Sequence, residues 1–331
     1  MSLARIYSKL SPKMGPYGEY FLPMTFSKYR TKDVVINTRQ PGFATVFDVS
    51  HMGIFETHNK NILEDKFKVN LNSLKNKSKL CGLLDSRGYI IDDIIVGNKG
   101  DSNFRMVVNS NTKDIYRRNH SFSEISKSIL AIQGDLSQKV VQGLFDINLD
   151  DMYFMDNKTI IPGEVELCRC GYTGEDGFEI YLKPQIADEI RYKLIEMSLE
   201  NENIMFGGLV ERDLLRLEAG LCLSGTEFGE ELDIDFKALN MDFMVGLKYR
   251  REKNFKSEYI RKGFVGKRPI KKGKIYNQEG KDIGLITSSN KSFNLNKFIG
   301  MGYILKENLN DKFDNFEISE LPFIEAKYRR K

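Results

Sequence analysis

The sequence is poor in the residues that build metal sites and disulfides. It contains three histidines and four cysteines in 331 residues, and it also has no tryptophan. None of the cysteines belongs to a CxxC pair or stands near histidines at metal-ligand spacing, which argues against a metal site of that kind. Because their neighbours are apolar, we predict reduced thiols buried in the core at Cys81, Cys168, Cys170 and Cys222.

Long apolar runs are missing as well. No stretch reaches the roughly 20 residues that a membrane helix needs. No signal-peptide core precedes the first charged residues. We therefore expect no membrane contact and a reducing, aqueous compartment.

A strong net charge is the third feature that the chain lacks. Fifty basic and 46 acidic residues give a formal charge of +4, spread along the chain, which is too mild to indicate nucleic-acid binding. Basic residues concentrate at 261–274. That segment is either a solvated surface or a patch that steers a polyanionic substrate or an acidic protein partner.

The length favours two or three domains, because 331 residues exceed what one hydrophobic core usually organises. The order of the elements indicates an α+β fold with a small β-rich unit beyond residue 248. Strands are predicted at 43–55 (interrupted at 48–51), 81–84, 89–96, 104–109, 128–133, 178–182, 282–288 and 298–305, with shorter ones near 159 and 167. Helices are predicted at 34–38, 61–74, 111–124, 135–144, 186–199 and 209–220.

Two adjacent carboxylates interrupt the apolar strand at 90–96, whose sequence is IIDDIIV. Side chains alternate along a strand, so Asp92 and Asp93 must lie on opposite faces, and one of them points inward. An ionised carboxylate inside a protein needs donors or a cation, which makes it either a candidate site residue or a member of a structural hydrogen-bond network.

Two other segments carry polar groups in suggestive patterns. The turn at 169–180, RCGYTGEDGFEI, has three glycines and then a strand that presents Glu179. It is either a close-approach ligand loop or an ordinary tight hairpin. In the predicted helix at 211–220, Arg212 and Arg216 share a face, where they either hold a ligand carboxylate or serve solubility.

These motifs occur together with others in a recognisable order. The segments FDVSHMG (47–53), IDD (91–93), VVN (107–109), AIQG (131–134), the hairpin at 169–180 and the helix at 212–220 follow one another along the chain. Their combination resembles the glycine cleavage T-protein (aminomethyltransferase) family. The likeness extends from about residue 6, through TRQ at 38–40, to LPF at 321–323. Each motif alone is weak, whereas six in order are a specific signal.

The resemblance implies a three-domain cloverleaf of the α+β class around a central folate cavity. The expected divisions are 1–50 with 135–240, then 51–134, then a β-barrel-like C-terminal domain at 241–331. Tetrahydrofolate would bind in the cavity as substrate and carbon acceptor, and the lipoyl arm of an H-protein would enter from the other side. The resemblance implies a monomer, no metal, and a location in the bacterial cytoplasm or the mitochondrial matrix.

By match to the family motifs, Asp93 is the catalytic carboxylate, which would activate a folate nitrogen and handle its proton. The pterin carries an amide and guanidine-like edge from which a carboxylate can accept two parallel hydrogen bonds. The implied folate contacts are Asn109, Tyr172, Glu179 and Arg212, with Met52 and Tyr328 lining the same cavity. Arg329 and Arg330 are candidates for the folate tail.

Two other functions remain open on the same scaffold. One is a folate-dependent demethylase acting on a sulfonium or a methylamine, which would need the same carboxylate and pocket. The other is a non-catalytic folate-binding iron–sulfur assembly factor, whose motif places a cysteine after the glycine, whereas Cys170 precedes Gly171 here. The chain also departs from the T-protein pattern at Tyr20 or Phe21, where tryptophan is common, and at Tyr89, where glycine is usual.

Overall fold

A computed structural model describes residues 2–72, 74–100, 103–252 and 257–331, apart from the side chains at positions 251 and 252. Within these residues the strands are β1 (Pro12–Tyr17), β2 (Tyr20–Phe26), β3 (Ala44–Asp48), β4 (Gly53–Thr57), β5 (Ser78–Leu84), β6 (Ile90–Asn98), β7 (Phe104–Val108), β8 (Ser123–Glu124), β9 (Ser128–Gln133), β10 (Asn157–Ile161), β11 (Val165–Cys168), β12 (Gly177–Leu182), β13 (Ile204–Phe206), β14 (Tyr259–Gly266), β15 (Gly273–Tyr276), β16 (Asp282–Ser292), β17 (Lys297–Leu305) and β18 (Glu317–Ser319). The α-helices are α1 (Leu3–Ile6), α2 (Thr31–Asn37), α3 (Lys60–Phe67), α4 (Lys113–Arg117), α5 (Ser137–Phe145), α6 (Pro184–Glu200), α7 (Leu209–Glu218), α8 (Phe236–Leu239) and α9 (Leu247–Glu252).

The first sheet has six strands in the order β10-β11-β12-β9-β3-β13. Neighbouring strands run antiparallel, except that β13 lies parallel to β3. Alternation gives the sheet two apolar faces. One face shares a core with α5 and α6. The other carries Phe47, Ile129 and Tyr181 and packs against α7 and the second sheet, so the residues of β12 that share a face with Tyr181 point towards the middle of the molecule.

The second sheet is antiparallel, in the order β5-β6-β7-β4-β8, and shares a core with α3 and α4. The third is also antiparallel, in the order β15-β16-β17-β14-β18. Helix α7 lies between the first and third sheets. Its Leu215 belongs to the core of the first sheet, and its Leu217 packs on Ile299 and Met301 of the third. Within the described residues no hydrogen bonds join β15 to β18, so the β-rich C-terminal unit is an open sheet rather than a closed barrel.

Most predicted elements are confirmed, and the differences have local causes. The strand predicted at 43–55 is interrupted as predicted, because the chain crosses from the first sheet to the second between β3 and β4. The helix predicted at 61–74 ends at Phe67, because Lys68 adopts a left-handed conformation with φ of 52°; position 73 of that prediction lies outside the described residues. The helix predicted at 111–124 shortens to α4, and residues 123–124 pair with β4 instead.

Strand β14, which overlaps the basic segment at 261–274, was not predicted. It occupies the third sheet between β17 and β18. The Arg261 side chain is half-buried there, and its guanidinium donates to the backbone oxygens of Leu239 at 2.8 Å and Gly220 at 2.6 Å. The basic composition of this segment therefore did not indicate that it forms a strand.

A buried ion cluster joins the first sheet to the second. Glu166 on β11 accepts from Arg105 on β7 at 2.7 Å, from Lys127 at 2.6 Å and from Lys99 at 2.9 Å. Burial opposes ionisation of this carboxylate, but the charge of Arg105 and the hydrogen bond from Lys127 outweigh it and lower the pKa of Glu166 to about 2. The carboxylate therefore balances three cations at the junction of two sheets.

We expect Glu166→Gln to destabilise the protein strongly, because removing one partner leaves buried cations uncompensated, at a cost of about 3–5 kcal/mol. The matched control is Glu164→Gln, since Glu164 is exposed and only 3.8 Å from Lys183; its loss should cost less than about 1 kcal/mol. Urea denaturation at pH 7 measures both. The stabilisation from Glu166 is complete above its ordinary pKa of 4.5 and is lost as the pH falls through about 2. Equal stabilities of the two variants would contradict this assignment.

Candidate active site

A cavity of about 1050 Å³ lies between the three sheets and α7. Its walls come from β6 and β7 of the second sheet, β9 and β12 of the first, and β16 of the third. This volume is at the upper end of the range for small-molecule sites. The seven residues that the family motifs assign to the catalytic and folate site all line it: Met52, Asp93, Asn109, Tyr172, Glu179, Arg212 and Tyr328.

Strand alternation separates the two adjacent carboxylates as predicted. Asp93 lines the cavity. Asp92 is fully buried on the other face of β6, where Thr112 Oγ1 donates to it at 2.6 Å and the Tyr116 hydroxyl donates at 2.9 Å. Asp92 is therefore held within the protein by hydroxyl donors, which also include Ser224 Oγ at 3.1 Å.

Asn109 connects the two carboxylates at the end of β7. Its Nδ2 donates to Asp92 Oδ1 and to Asp93 Oδ1, each at 2.8 Å. Burial, with the neighbouring charge of Asp92, raises the pKa of Asp93 to about 7. A carboxylate that changes protonation near neutral pH is suited to accept a proton during a reaction at that pH.

The hairpin between β11 and β12 supplies two further cavity residues. Glu179 lies on β12 between β11 and β9, opposite Cys168 and Ala131, in the interior of the first sheet. The Tyr181 hydroxyl donates to Glu179 Oε2 at 2.8 Å. Tyr172 lies in the turn, and its hydroxyl donates to the backbone oxygen of Cys222.

The glycines of this hairpin serve packing within the protein, in keeping with the tight-hairpin interpretation. A Cβ at Gly171 would lie 1.7 Å from the side-chain oxygen of Gln133, and one at Gly177 would lie 2.4 Å from the backbone oxygen of Ile132. Gly174 has a φ of 81°, which favours glycine. Close backbone approach here is made to the neighbouring strand β9.

Helix α7 presents Arg212 to the cavity, whereas the guanidinium of Arg216 is already hydrogen-bonded to protein side chains. Arg216 donates to Asp213 at 2.8 Å, to Glu227 at 2.9 Å and to Ser288 at 2.8 Å. A clamp of two arginines for one ligand carboxylate is therefore not formed. Arg212 instead stacks on the Tyr172 ring at 4.7 Å, and its buried Nη1 has no hydrogen-bond partner within the described residues.

The C-terminal segment closes one side of the cavity. The Tyr328 ring stacks on Phe154 with centroids 4.2 Å apart, and burial raises its pKa to about 12. The backbone of this segment is fixed on both sides, because Lys327 N donates to Gly174 O and Arg329 O accepts from Phe154 N. Arg330 lines the cavity, whereas the Arg329 side chain bonds to Asp150 O at 2.7 Å outside it, so only Arg330 remains a candidate for a ligand tail.

Sequence reasoning missed His51 and Tyr17, which also line the cavity. Their ring centroids are 5.2 Å apart. Burial, with the charge of Arg212, lowers the pKa of His51 to about 4, so the imidazole is neutral at pH 7. Its buried Nδ1 has no partner in the described part of the chain. The position of His51 beside Met52 in the 47–53 motif was the available signal.

Three further findings concern the predicted absences. All four cysteines are buried and free of disulfides, as predicted. Among the described residues, no group of three or more His, Cys, Asp or Glu side chains is placed to hold a metal ion. No helix in the same ranges has the length and apolar character required to cross a bilayer.

Comparisons with known proteins agree with this architecture. The family model described as the GCVT N-terminal domain matches residues 3–249. The chain is 31% identical over 334 residues to an aminomethyltransferase of Clostridium botulinum, covering 91% of this chain and 88% of the relative. It is 30% identical over 361 residues to the mitochondrial aminomethyltransferase of Flaveria trinervia, covering 96% and 87%.

The fold has a solved counterpart over its whole length. The structure of glycine cleavage system aminomethyltransferase T from Bartonella henselae superposes with a TM-score of 0.86 at 24% identity, covering 99% of this chain and 98% of that one. This match confirms the fold expected from the motifs. The family model over residues 3–249 and the relatives at 30% identity or more show that the chain belongs to the glycine cleavage T-protein (aminomethyltransferase) family.

Proposed function

We propose that this protein transfers the methylene carbon of an aminomethylated lipoyl H-protein to tetrahydrofolate, with release of ammonia. The observation that carries the proposal is the convergence in one cavity of a carboxylate that titrates near pH 7 with polar groups from three other segments. The names of the bacterial and mitochondrial relatives support the aminomethyltransferase activity. They also support the bacterial cytoplasm or the mitochondrial matrix as its setting.

The cavity offers complementary groups to a pterin. Glu179 supplies a buried carboxylate that accepts hydrogen bonds from the amide and guanidine-like edge. Arg212 supplies donors, including Nη1, which has no partner among the residues that the structure describes, and the adjacent Tyr172 ring supplies a flat apolar surface. Burial strengthens these hydrogen bonds because competing water is excluded. We assign Asn109, Met52 and Tyr328 to the same pocket.

Asp93 would serve as the proton acceptor in the transfer. As a folate nitrogen forms its bond to the aminomethyl carbon, ionised Asp93 takes the proton of that nitrogen and passes it to the amine, which leaves as ammonia when its carbon–nitrogen bond breaks. The second folate nitrogen then displaces the lipoyl sulfur, so that one N–H proton leaves with ammonia and the other with the thiol. Asn109 would hold the Asp93 carboxylate in place through its 2.8 Å hydrogen bond.

The same cavity would serve a folate-dependent demethylase, so the donor must be tested directly. Purified protein with tetrahydrofolate is offered either aminomethylated H-protein or a methylamine or sulfonium donor. Ammonia and methylenetetrahydrofolate should form only with the H-protein. A non-catalytic folate-binding factor would bind tetrahydrofolate and turn over none of these donors.

The first test of the folate assignment is Glu179→Gln, which keeps the size of the side chain and removes its charge. Loss of a hydrogen bond to a charged group costs about 1.5–3 kcal/mol, which corresponds to a roughly 10- to 100-fold weaker Kd. Calorimetry with tetrahydrofolate measures it, and the exposed Glu164→Gln serves as control. Absence of binding at millimolar ligand, or identical affinities of the two variants, would refute the folate site.

The second test separates the two carboxylates. Asp93→Asn should leave tetrahydrofolate binding intact and slow turnover with aminomethylated H-protein by about 10²- to 10⁴-fold, the usual cost of losing a proton-transfer group. Asp92→Asn should act mainly through a lower melting temperature, because Asp92 accepts from buried hydroxyls. If Asp92→Asn abolished chemistry while Asp93→Asn stayed near full activity, the assignment of roles would be wrong.

A further inference from the structure

The orientation of Glu179 is set by a neighbour that lies on the same strand face. Tyr181 is two residues further along β12, so its side chain points the same way. Its hydroxyl donates to Glu179 Oε2 at 2.8 Å, and the tyrosine is fully buried. Within the described residues Glu179 Oε1 accepts no hydrogen bond, so one carboxylate oxygen is fixed by the protein and the other remains for a ligand.

Tyr181 is itself held by a cation from the second sheet. The Arg105 guanidinium lies 3.7 Å from the centroid of the Tyr181 ring, a distance at which a cation and an aromatic face attract each other. Arg105 is only 1% exposed and is anchored by Glu166 at 2.7 Å. The arrangement runs from Glu166 through Arg105 and Tyr181 to the carboxylate in the cavity.

We infer that Tyr181, held in place by Arg105, is a positioning residue that orients Glu179 for tetrahydrofolate. The inference rests on the proposed folate site. A glutamate side chain has three rotatable bonds, and ordering it only when ligand arrives would weaken binding. Hydrogen bonding by Tyr181 orders the carboxylate beforehand. Because Arg105 belongs to the other sheet, the arrangement also sets the position of Glu179 relative to Asp93.

The experiment is a double-mutant cycle of Tyr181→Phe and Glu179→Gln, read by calorimetry with tetrahydrofolate. Tyr181→Phe alone should weaken binding about tenfold, as expected when a charged group loses a hydrogen bond. In the Glu179→Gln background the same change should alter Kd by less than about twofold, because coupled residues are non-additive. At saturating tetrahydrofolate, the kcat of Tyr181→Phe should stay within about twofold of the parent.

Tyr7→Phe is the matched control. Tyr7 is also fully buried, and its hydroxyl also donates to a carboxylate, Asp48 Oδ2 at 2.7 Å, but neither residue lines the cavity. Its replacement should leave the Kd for tetrahydrofolate unchanged. An equal weakening by Tyr181→Phe in both backgrounds, or none in either, would overturn the positioning role.

Arg105→Lys tests the second link, since it keeps the charge beside Glu166 and removes the planar group over the ring. It should weaken tetrahydrofolate binding in the parent protein and add nothing to Tyr181→Phe. Should the lysine variant fail to fold, the Tyr181 cycle still decides the proposal. Failure of the parent protein to bind tetrahydrofolate would refute the proposed function, whereas binding that depends on Glu179 but not on Tyr181 would refute only this inference.

Discussion

Two adjacent carboxylates on strand β6 impose the constraint on which the rest of the site depends. Burying ionised carboxylates side by side is costly, and each requires its own compensation. Asp92 receives it from hydroxyls of the second sheet's core. Asp93 receives one amide donor, which it shares with Asp92 through Asn109. This difference in hydrogen bonding leaves at the cavity wall a carboxylate, Asp93, whose pKa is raised to about 7, and to which we assign the role of proton acceptor.

The walls that carry the remaining residues are held by buried ion pairs between elements. Glu166 joins the first and second sheets, and the contact of Arg216 with Glu227 and Ser288 joins α7 to the third. Burying such a pair costs desolvation free energy, which is offset only when the two charged groups lie in one well-defined geometry. They define the relative positions of sheets that have separate apolar cores. A cavity lined by three sheets depends on that alignment, because its polar groups come from all three.

The sequence predicted what depends on local pattern. Alternation placed Asp92 and Asp93 on opposite faces, and motif order brought all seven predicted residues into one cavity. The helical pattern alone left Arg212 and Arg216 equivalent, and only the family resemblance singled out Arg212, because the partner that engages Arg216 is Glu227, which packs against the third sheet. Sequence reasoning missed Arg105 and β14 for a related reason: composition predicts solvent exposure for these cations, whereas tertiary partners bury Arg105 and engage the guanidinium of Arg261. The end of helix α3 was not predicted either, because it is set by the left-handed backbone conformation of Lys68.

The most direct measurement of the central claim is the pH dependence of single-turnover transfer to tetrahydrofolate from aminomethylated H-protein. Because ionised Asp93 is the proton acceptor, the rate should rise with pH through about 7 and then level off. Asp93→Asn should remove this pH-dependent rise, which is the acidic limb of the rate profile. Asp92→Asn should move it to lower pH, because the neighbouring negative charge is gone. A rate independent of pH between 5 and 8 (roughly one unit or more beyond the expected midpoint on each side), or a limb that persists in Asp93→Asn, would contradict the role of this carboxylate.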